Sequence, residues 1–158
     1  PLHDIGKVGI PDSILLKPGR LTLEEWRIMQ THSRLGYLAL QQAEQDAERP
    51  IAFLAMAKEI AHYHHEKWDG SGYPHGLAGE AIPISARLMA LADVFDALIV
   101  QRVYKGALPL ERALQIIREG RGQHFDPDVV DTFFSRLDQF IAIASRHRET
   151  GMGAPPAT

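Results

Sequence analysis

The chain has 158 residues, 45% of them hydrophobic and 23% charged, with a formal net charge of −3 and a pI near 6.3. That length suits one globular domain able to bury roughly 70% of its unfolded surface. The charge balance excludes a general binder of nucleic acid or anionic membrane, which needs a cationic surplus, and the lack of cysteine excludes disulfides, zinc–thiolate sites and cysteine nucleophiles.

A cysteine-free chain suits a reducing cytoplasm, the expected location. Asp93 and Asp96 interrupt the longest apolar run, so no segment reaches the roughly 18 residues of a membrane span. No signal peptide is visible. The chain opens on Pro1-Leu2-His3-Asp4 without an initiator methionine, and is expected to be a fragment that begins inside a domain.

The predicted elements are helical throughout. Thr22-Leu23-Glu24-Glu25 is a capping box, with Thr22 as N-cap and Glu25 reaching back to it, and Pro18-Gly19 supplies the turn before it. This helix should run to about His32, and Ser33 to Gly36 should bend it or restart it towards Glu48. Pro50 breaks the chain. Apolar residues Ile51, Leu54, Ala55, Ala57, Ile60 and Ala61 then recur at helical spacing up to His65.

Residues 66–83 hold four glycines and two prolines, a composition that cannot continue a helix. A long ordered loop or flap is expected, and such stretches in compact domains are usually functional. After Pro83 a helix should span about Ser85 to Val100, burying Leu88, Leu91, Ala92, Phe95 and Ile99. Pro109 opens a helix to about Glu119, and Asp126-Pro127, an N-cap followed by proline at the first helical position, opens a last one to about Arg146. Residues 148–158, rich in Gly, Pro, Ala and Thr, are expected to form a disordered tail behind a domain at 1–147. The predicted fold class is all-α, a helical bundle with a long Gly/Pro-rich loop.

His3-Asp4, His32, His64-His65 and Asp93 carry the chemistry. Imidazole and carboxylate are the cysteine-free side chains that bind first-row divalent metals well. Asp93 sits among Leu88, Leu91, Ala92 and Phe95, where an unpaired buried carboxylate is costly, and Asp96, three positions on, shares its side of the helix. Four histidines and two aspartates on three or four helices could converge in a bundle core. Each has a plainer reading alone: a histidine at a helix end is more often a dipole partner, spaced aspartates usually face solvent, and Trp68 and Tyr73 are more often loop anchors than ligand stackers.

The ordered string decides between these. His3-Asp4-Ile5-Gly6-Lys7, then Ile10-Pro11-Asp12 and Lys17-Pro18-Gly19, resembles the signature segment of HD-GYP domains. His64-His65-Glu66-Lys67-Trp68-Asp69-Gly70-Ser71-Gly72-Tyr73-Pro74 matches that family's second signature nearly letter for letter. Ile82-Pro83, Arg87, Ala92 to Leu98, Arg102, Tyr104-Lys105 and Phe125-Asp126-Pro127 continue the match over about residues 1–135.

The resemblance implies an HD-domain-like bundle that hydrolyses cyclic di-GMP to pGpG and on to GMP. It places the ligands of two or three iron or manganese ions at His3, Asp4, His32, His64, His65 and Asp93. Lys7 falls beside the scissile phosphate, Asp96 on an acid behind the ligands, and Asp4, Lys7 and Asp96 form the catalytic set. Arg102 and Lys105 fall on contacts to the phosphates and guanines, while Gly72, Tyr73 and Pro74 border the pocket. In the family that loop is linked to diguanylate cyclase (GGDEF) domains, and a receiver or sensory domain precedes the bundle. Members with three ions draw a glutamate and a histidine from a helix upstream of the His-Asp pair, and the fragment is expected to begin after that helix. His62, His75, His124 and His147 match no ligand position.

The physics agrees with that chemistry. A phosphodiester resists an anionic nucleophile, and paired cations offset the repulsion, activate water and clamp the reacting oxygens. No serine or threonine sits in a nucleophile setting, so hydrolysis by water is favoured over covalent catalysis. Two other readings share the residues: a phosphohydrolase of cyclic GMP-AMP or a nucleotide monoester, and a non-catalytic module that binds the dinucleotide or contacts GGDEF domains.

Overall fold

The computed structural model describes residues 2–47, 51–99 and 109–151, with side chains up to residue 145. A 3₁₀ helix at Leu2–Gly9 carries His3 and Asp4, and a single turn, α1 (Asp12–Leu15), follows. The capping box forms as expected: Thr22 Oγ1 accepts the Glu25 N–H at 3.2 Å and the Glu25 carboxylate accepts the Thr22 N–H at 2.7 Å. It opens α2 (Leu23–Gln30), which gives way at Thr31 to α3 (His32–Gln45). This is the restart anticipated near Ser33.

Helix α4 (Ala52–Tyr63) ends just before His64, and α5 (Ile84–Ile99) carries Asp93. Between them residues 66–83 form the expected loop, helical only in a 3₁₀ turn at Gly79–Ala81. Helices α6 (Leu110–Glu119) and α7 (Pro127–Ser135) follow, α7 capped by Asp126, whose side chain accepts the Asp128 N–H at 2.8 Å. Among the described residues there is no β-strand, only isolated bridges at Asp69–Ala78 and Arg121–Phe125. The all-α expectation holds.

Two boundaries differ from expectation. The last helix is broken at Arg136, and α8 (Leu137–Gly151) extends beyond the expected start of the tail. Ser135 donates its hydroxyl to the Thr132 carbonyl at 2.7 Å, a local bond that competes with the helical ladder. The break turns Phe140 back onto Phe133, with ring centres 4.8 Å apart. In α5 the buried stripe is Ala86, Ala90, Leu91, Phe95 and Ile99, whereas Leu88 and Ala92 face outwards. Aliphatic content hid this shift, because nearly every position in that helix is apolar.

Two cores flank the middle of the molecule. Leu91, Phe95 and Ile99 pack against α6 and α7 through Ala113, Ile117, Phe125, Val130 and Phe133. Leu40, Leu54, Ala57 and Ala61 join α3 to α4. The 3₁₀ helix crosses α3 at Gly6 and Gly36, and a Cβ at Gly6 would overlap the His32 carbonyl oxygen and the Gly36 nitrogen. Only a residue without a side chain permits that approach, and it sets His3 and Asp4 against the start of α3.

Candidate metal centre

Four segments deliver the candidate ligands. His3 and Asp4 come from the 3₁₀ helix, His32 from the first turn of α3, His64 and His65 from the end of α4, and Asp93 from the middle of α5. The structure brings all six together. Asp4 Oδ1 lies 3.6 Å from His32 Nε2 and 3.9 Å from His64 Nε2, while His65 Nε2 is 3.2 Å from His32 Nε2. His3 Nε2 bridges the two aspartates, 3.5 Å from Asp4 Oδ2 and 3.6 Å from Asp93 Oδ1. One ligand atom each from Asp4, His32, His64 and His65 lies within 4.8 Å of the others.

The rings are oriented by bonds on their far side. His32 Nδ1 pairs with the Met29 carbonyl at 2.7 Å, and His64 Nδ1 with the Ile60 carbonyl at 2.9 Å. A carbonyl only accepts, so both Nδ1 atoms carry the proton and both Nε2 lone pairs point into the cluster. This is the arrangement that fixes a metal-binding imidazole. His64 Nε2 is buried and has no hydrogen-bond partner, an orphaned acceptor that needs a reason. A cation among these nitrogens and carboxylate oxygens would supply it, and the donor set suits a divalent first-row ion.

The electrostatics point the same way. Burial lowers His32, and burial together with the neighbouring charge of His3 holds His64 down at about 4. Burial and the adjacent His64 lower His65 to about 3. All three are neutral at pH 7, as ligands must be. Burial alone would raise Asp4, but hydrogen bonds from His3 and Lys7 hold its carboxyl well below the carboxylate range. Asp93 is lowered chiefly by its bond to His3. His3, hydrogen-bonded to Asp4 and then Asp93, is raised to about 9.

Lys7 donates to Asp4 Oδ2 at 2.6 Å with its side chain 40% exposed, so it sits at the open rim of the cluster. Asp96 does not join the site. It is exposed, one turn beyond Asp93, and among the described residues makes no hydrogen bond or ion pair. Arg102 and Lys105 lie outside the described residues.

The loop folds back over the ligands. Tyr73 stacks on His65 with ring centres 4.7 Å apart, and burial raises its hydroxyl so that it stays protonated. Gly72 presses on the backbone of Glu66 and Lys67, where a Cβ would overlap them, and Pro74 is exposed. Trp68 is an anchor: its backbone N–H donates to the His124 carbonyl at 3.2 Å and Arg87 lies over its ring at 5.8 Å.

Sequence reasoning gave no role to two residues that hold this arrangement, Glu66 and Arg87. Glu66 is buried at 2% exposure, and its two oxygens accept the N–H groups of His75 at 2.7 Å and Leu77 at 3.0 Å. Arg87 donates to buried Asp126 at 2.7 Å, tying α5 to the start of α7. The available signal for Glu66 was an acid between two imidazole ligands and a glycine-rich loop, a place where only backbone amides can satisfy it. His62 and His75 meet away from the cluster, their Nε2 atoms 3.3 Å apart.

A helical bundle that gathers four imidazoles and two carboxylates, with Asp4, His32, His64 and His65 within 4.8 Å of one another, has the donor set to hold a metal ion. The family model for the HD domain matches residues 1–129, and with the His64–Pro74 signature the chain belongs to the HD-domain family in its HD-GYP form. Three relatives from Vibrio cholerae serotype O1 are similar to it. A "Probable cyclic di-GMP phosphodiesterase" is 60% identical over 146 residues, 92% of this chain and 33% of the relative. A "Cyclic di-GMP phosphodiesterase" is 59% identical over 149 residues, 94% of this chain and 30% of the relative. A "3'3'-cGAMP-specific phosphodiesterase 2" is 49% identical over 143 residues, 90% of this chain and 26% of the relative. The chain thus spans at most about a third of the length of these relatives. Among the described residues no helix is long and apolar enough to cross a membrane.

Proposed function

We propose that the protein is a metal-dependent phosphodiesterase that opens cyclic di-GMP to pGpG and carries it on to GMP. One observation supports the reading most: Asp4 Oδ1 lies within 3.9 Å of two inward-facing histidine nitrogens, one of them, His64 Nε2, buried without a partner. His3, Asp4, His32, His64, His65 and Asp93 would hold two or three divalent ions, iron or manganese. Such ions neutralise the phosphodiester and activate the attacking water.

The chain's own residues do the rest. The Met29 and Ile60 carbonyls keep the His32 and His64 rings aimed inward. Lys7, at the rim and bonded to Asp4, is placed to stabilise charge developing on a phosphate oxygen. Tyr73, stacked on His65, walls the site on its loop side and excludes water there. Arg102 and Lys105 bind the phosphates and the guanines in this reading, and Gly72-Tyr73-Pro74 offers the surface for a GGDEF domain. A receiver or sensory domain and a cytoplasmic location complete the proposal.

The test is to load the protein with manganese or iron(II) and supply cyclic di-GMP and 3'3'-cyclic GMP-AMP in turn. Release of pGpG is expected, with Lys105→Ala weakening dinucleotide binding more than metal binding. The cyclic GMP-AMP reading is favoured by the name of the relative at 49% identity, and turnover of that dinucleotide alone would replace the substrate assigned here.

A further inference from the structure

We propose that Trp26 forms a nucleobase subsite, its indole face stacking on a purine of the substrate whose phosphate is held at the His/Asp cluster. The inference rests on the phosphodiesterase reading and adds a residue to it. Trp26 is 44% exposed on α2, and Leu23, one turn earlier on the same face, is 70% exposed. Single exposed apolar residues are ordinary on protein surfaces. What sets Trp26 apart is its position in a chain of rings.

Trp26 meets Tyr73 edge-on, with centres 6.4 Å apart and planes at 82°. Tyr73 in turn stacks on His65 at 4.7 Å. The indole therefore stands two ring contacts from a metal ligand, within the reach of a nucleotide whose phosphate occupies the cluster. Its anchoring is equally direct. Met29, on the same helix face three positions on, gives its carbonyl to His32 Nδ1, so the helix that carries Trp26 also aims a ligand ring.

The contact sets the two ring planes at 82° and leaves Trp26 44% exposed. Among the described residues no hydrogen bond engages the indole N–H, although tryptophan N–H groups usually find a partner when buried. That donor and the exposed part of the indole are what a purine can use, one for a ring acceptor and one for its π surface. Tyr73 alone offers less, because one face lies against His65. A cyclic dinucleotide brings two bases beside two phosphates, and aromatic platforms of this kind bind bases with little preference among them.

The experiment compares wild type with Trp26→Ala and Trp26→Phe on two diesters, cyclic di-GMP and bis(p-nitrophenyl) phosphate, which has no purine. Metal content is measured in parallel, and the Kd for cyclic di-GMP is measured by equilibrium dialysis. Trp26→Ala is expected to raise KM and Kd for cyclic di-GMP by about tenfold or more, the size of one lost base stack. Trp26→Phe keeps most of the affinity, while cleavage of the purine-free diester and metal content stay at wild-type levels. Unchanged KM and Kd in Trp26→Ala, or equal losses on both diesters, would overturn the subsite. A wild-type protein that cleaves the purine-free diester but never cyclic di-GMP would refute the function proposed above. In that case the Kd ratio between Trp26→Ala and wild type still decides the subsite, a ratio near one overturning it.

Discussion

Tyr73 is bound to His65 twice: its ring stacks on the imidazole at 4.7 Å, and its backbone N–H donates to the His65 carbonyl at 3.1 Å. A loop residue and a ligand residue, eight positions apart in sequence, thus move as one body. Glu66 secures the pairing, since its buried carboxylate accepts the amides of His75 and Leu77 on the far side of the turn.

Removing that carboxylate should release the loop. Hydrogen bonds to a charged group contribute about 1.5–3 kcal/mol each, so Glu66→Ala should lose protection at the His75 and Leu77 amides and destabilise the protein by about 3 kcal/mol. Hydrogen exchange followed by mass spectrometry would register the change. Unaltered exchange in residues 73–77 would mean that the backbone bonds of the loop hold it without Glu66.

Asp4 faces His3, His32, His64 and Lys7. Asp4→Ala should abolish metal loading and leave the helical content largely intact, because the residue is only partly buried in a 3₁₀ helix outside both hydrophobic cores. Elemental analysis and far-ultraviolet circular dichroism measure the two properties. A full metal complement in the variant would remove Asp4 from the ligand set.

Metal uptake should release about one proton per chain near pH 7.5. His64 and His65, lowered to about 4 and 3, are already neutral there, whereas His3, raised from 6.5 to about 9, is protonated in metal-free protein. Its pairing with Asp4 and Asp93 stabilises the metal-free fold fully below pH 6.5, and that contribution is lost as pH rises through 9. A cation must displace this proton, so affinity should fall about tenfold per unit as pH drops below 9. Calorimetry in two buffers of different ionisation enthalpy would count the protons, and a count of zero at pH 7.5 would contradict a protonated His3.

The crossing of Gly6 over Gly36 leaves no room for a methyl group. Gly6→Ala should push the 3₁₀ helix off α3, cost about 1–3 kcal/mol or more through overpacking, and weaken metal binding as His3 and Asp4 withdraw from His32. Chemical denaturation together with metal titration would show both losses. Loss of stability with unchanged metal affinity would mean that the ligands do not depend on this crossing.

The secondary structure was legible where local chemistry acts alone. Thr22 with Glu25, and Asp126 with Pro127, mark helix starts because capping needs nothing beyond a few neighbouring residues. The glycines and prolines of 66–83 marked the loop for the same reason. Patterning failed in α5, where apolar residues occupy nearly every position and no polar face shows which stripe is buried. It failed at Arg136 too, because that break answers to the packing of Phe140 on Phe133.

By itself the sequence determined the chemical inventory and where its helices begin: four imidazoles and two carboxylates without thiol, in an order that resembles one family. The resemblance put Asp93 among the ligands and Asp96 behind them, but the residues alone could not show the packing that separates the two. Asp93 reaches His3 while Asp96, one turn away, stays exposed, because the rotation of α5 is settled by Leu91, Phe95 and Ile99 packing against α6 and α7. Nor could it show Glu66 buried between ligands and loop, or Trp26 meeting Tyr73. Those contacts join residues far apart along the chain, and only the assembled bundle gives them a common position in space.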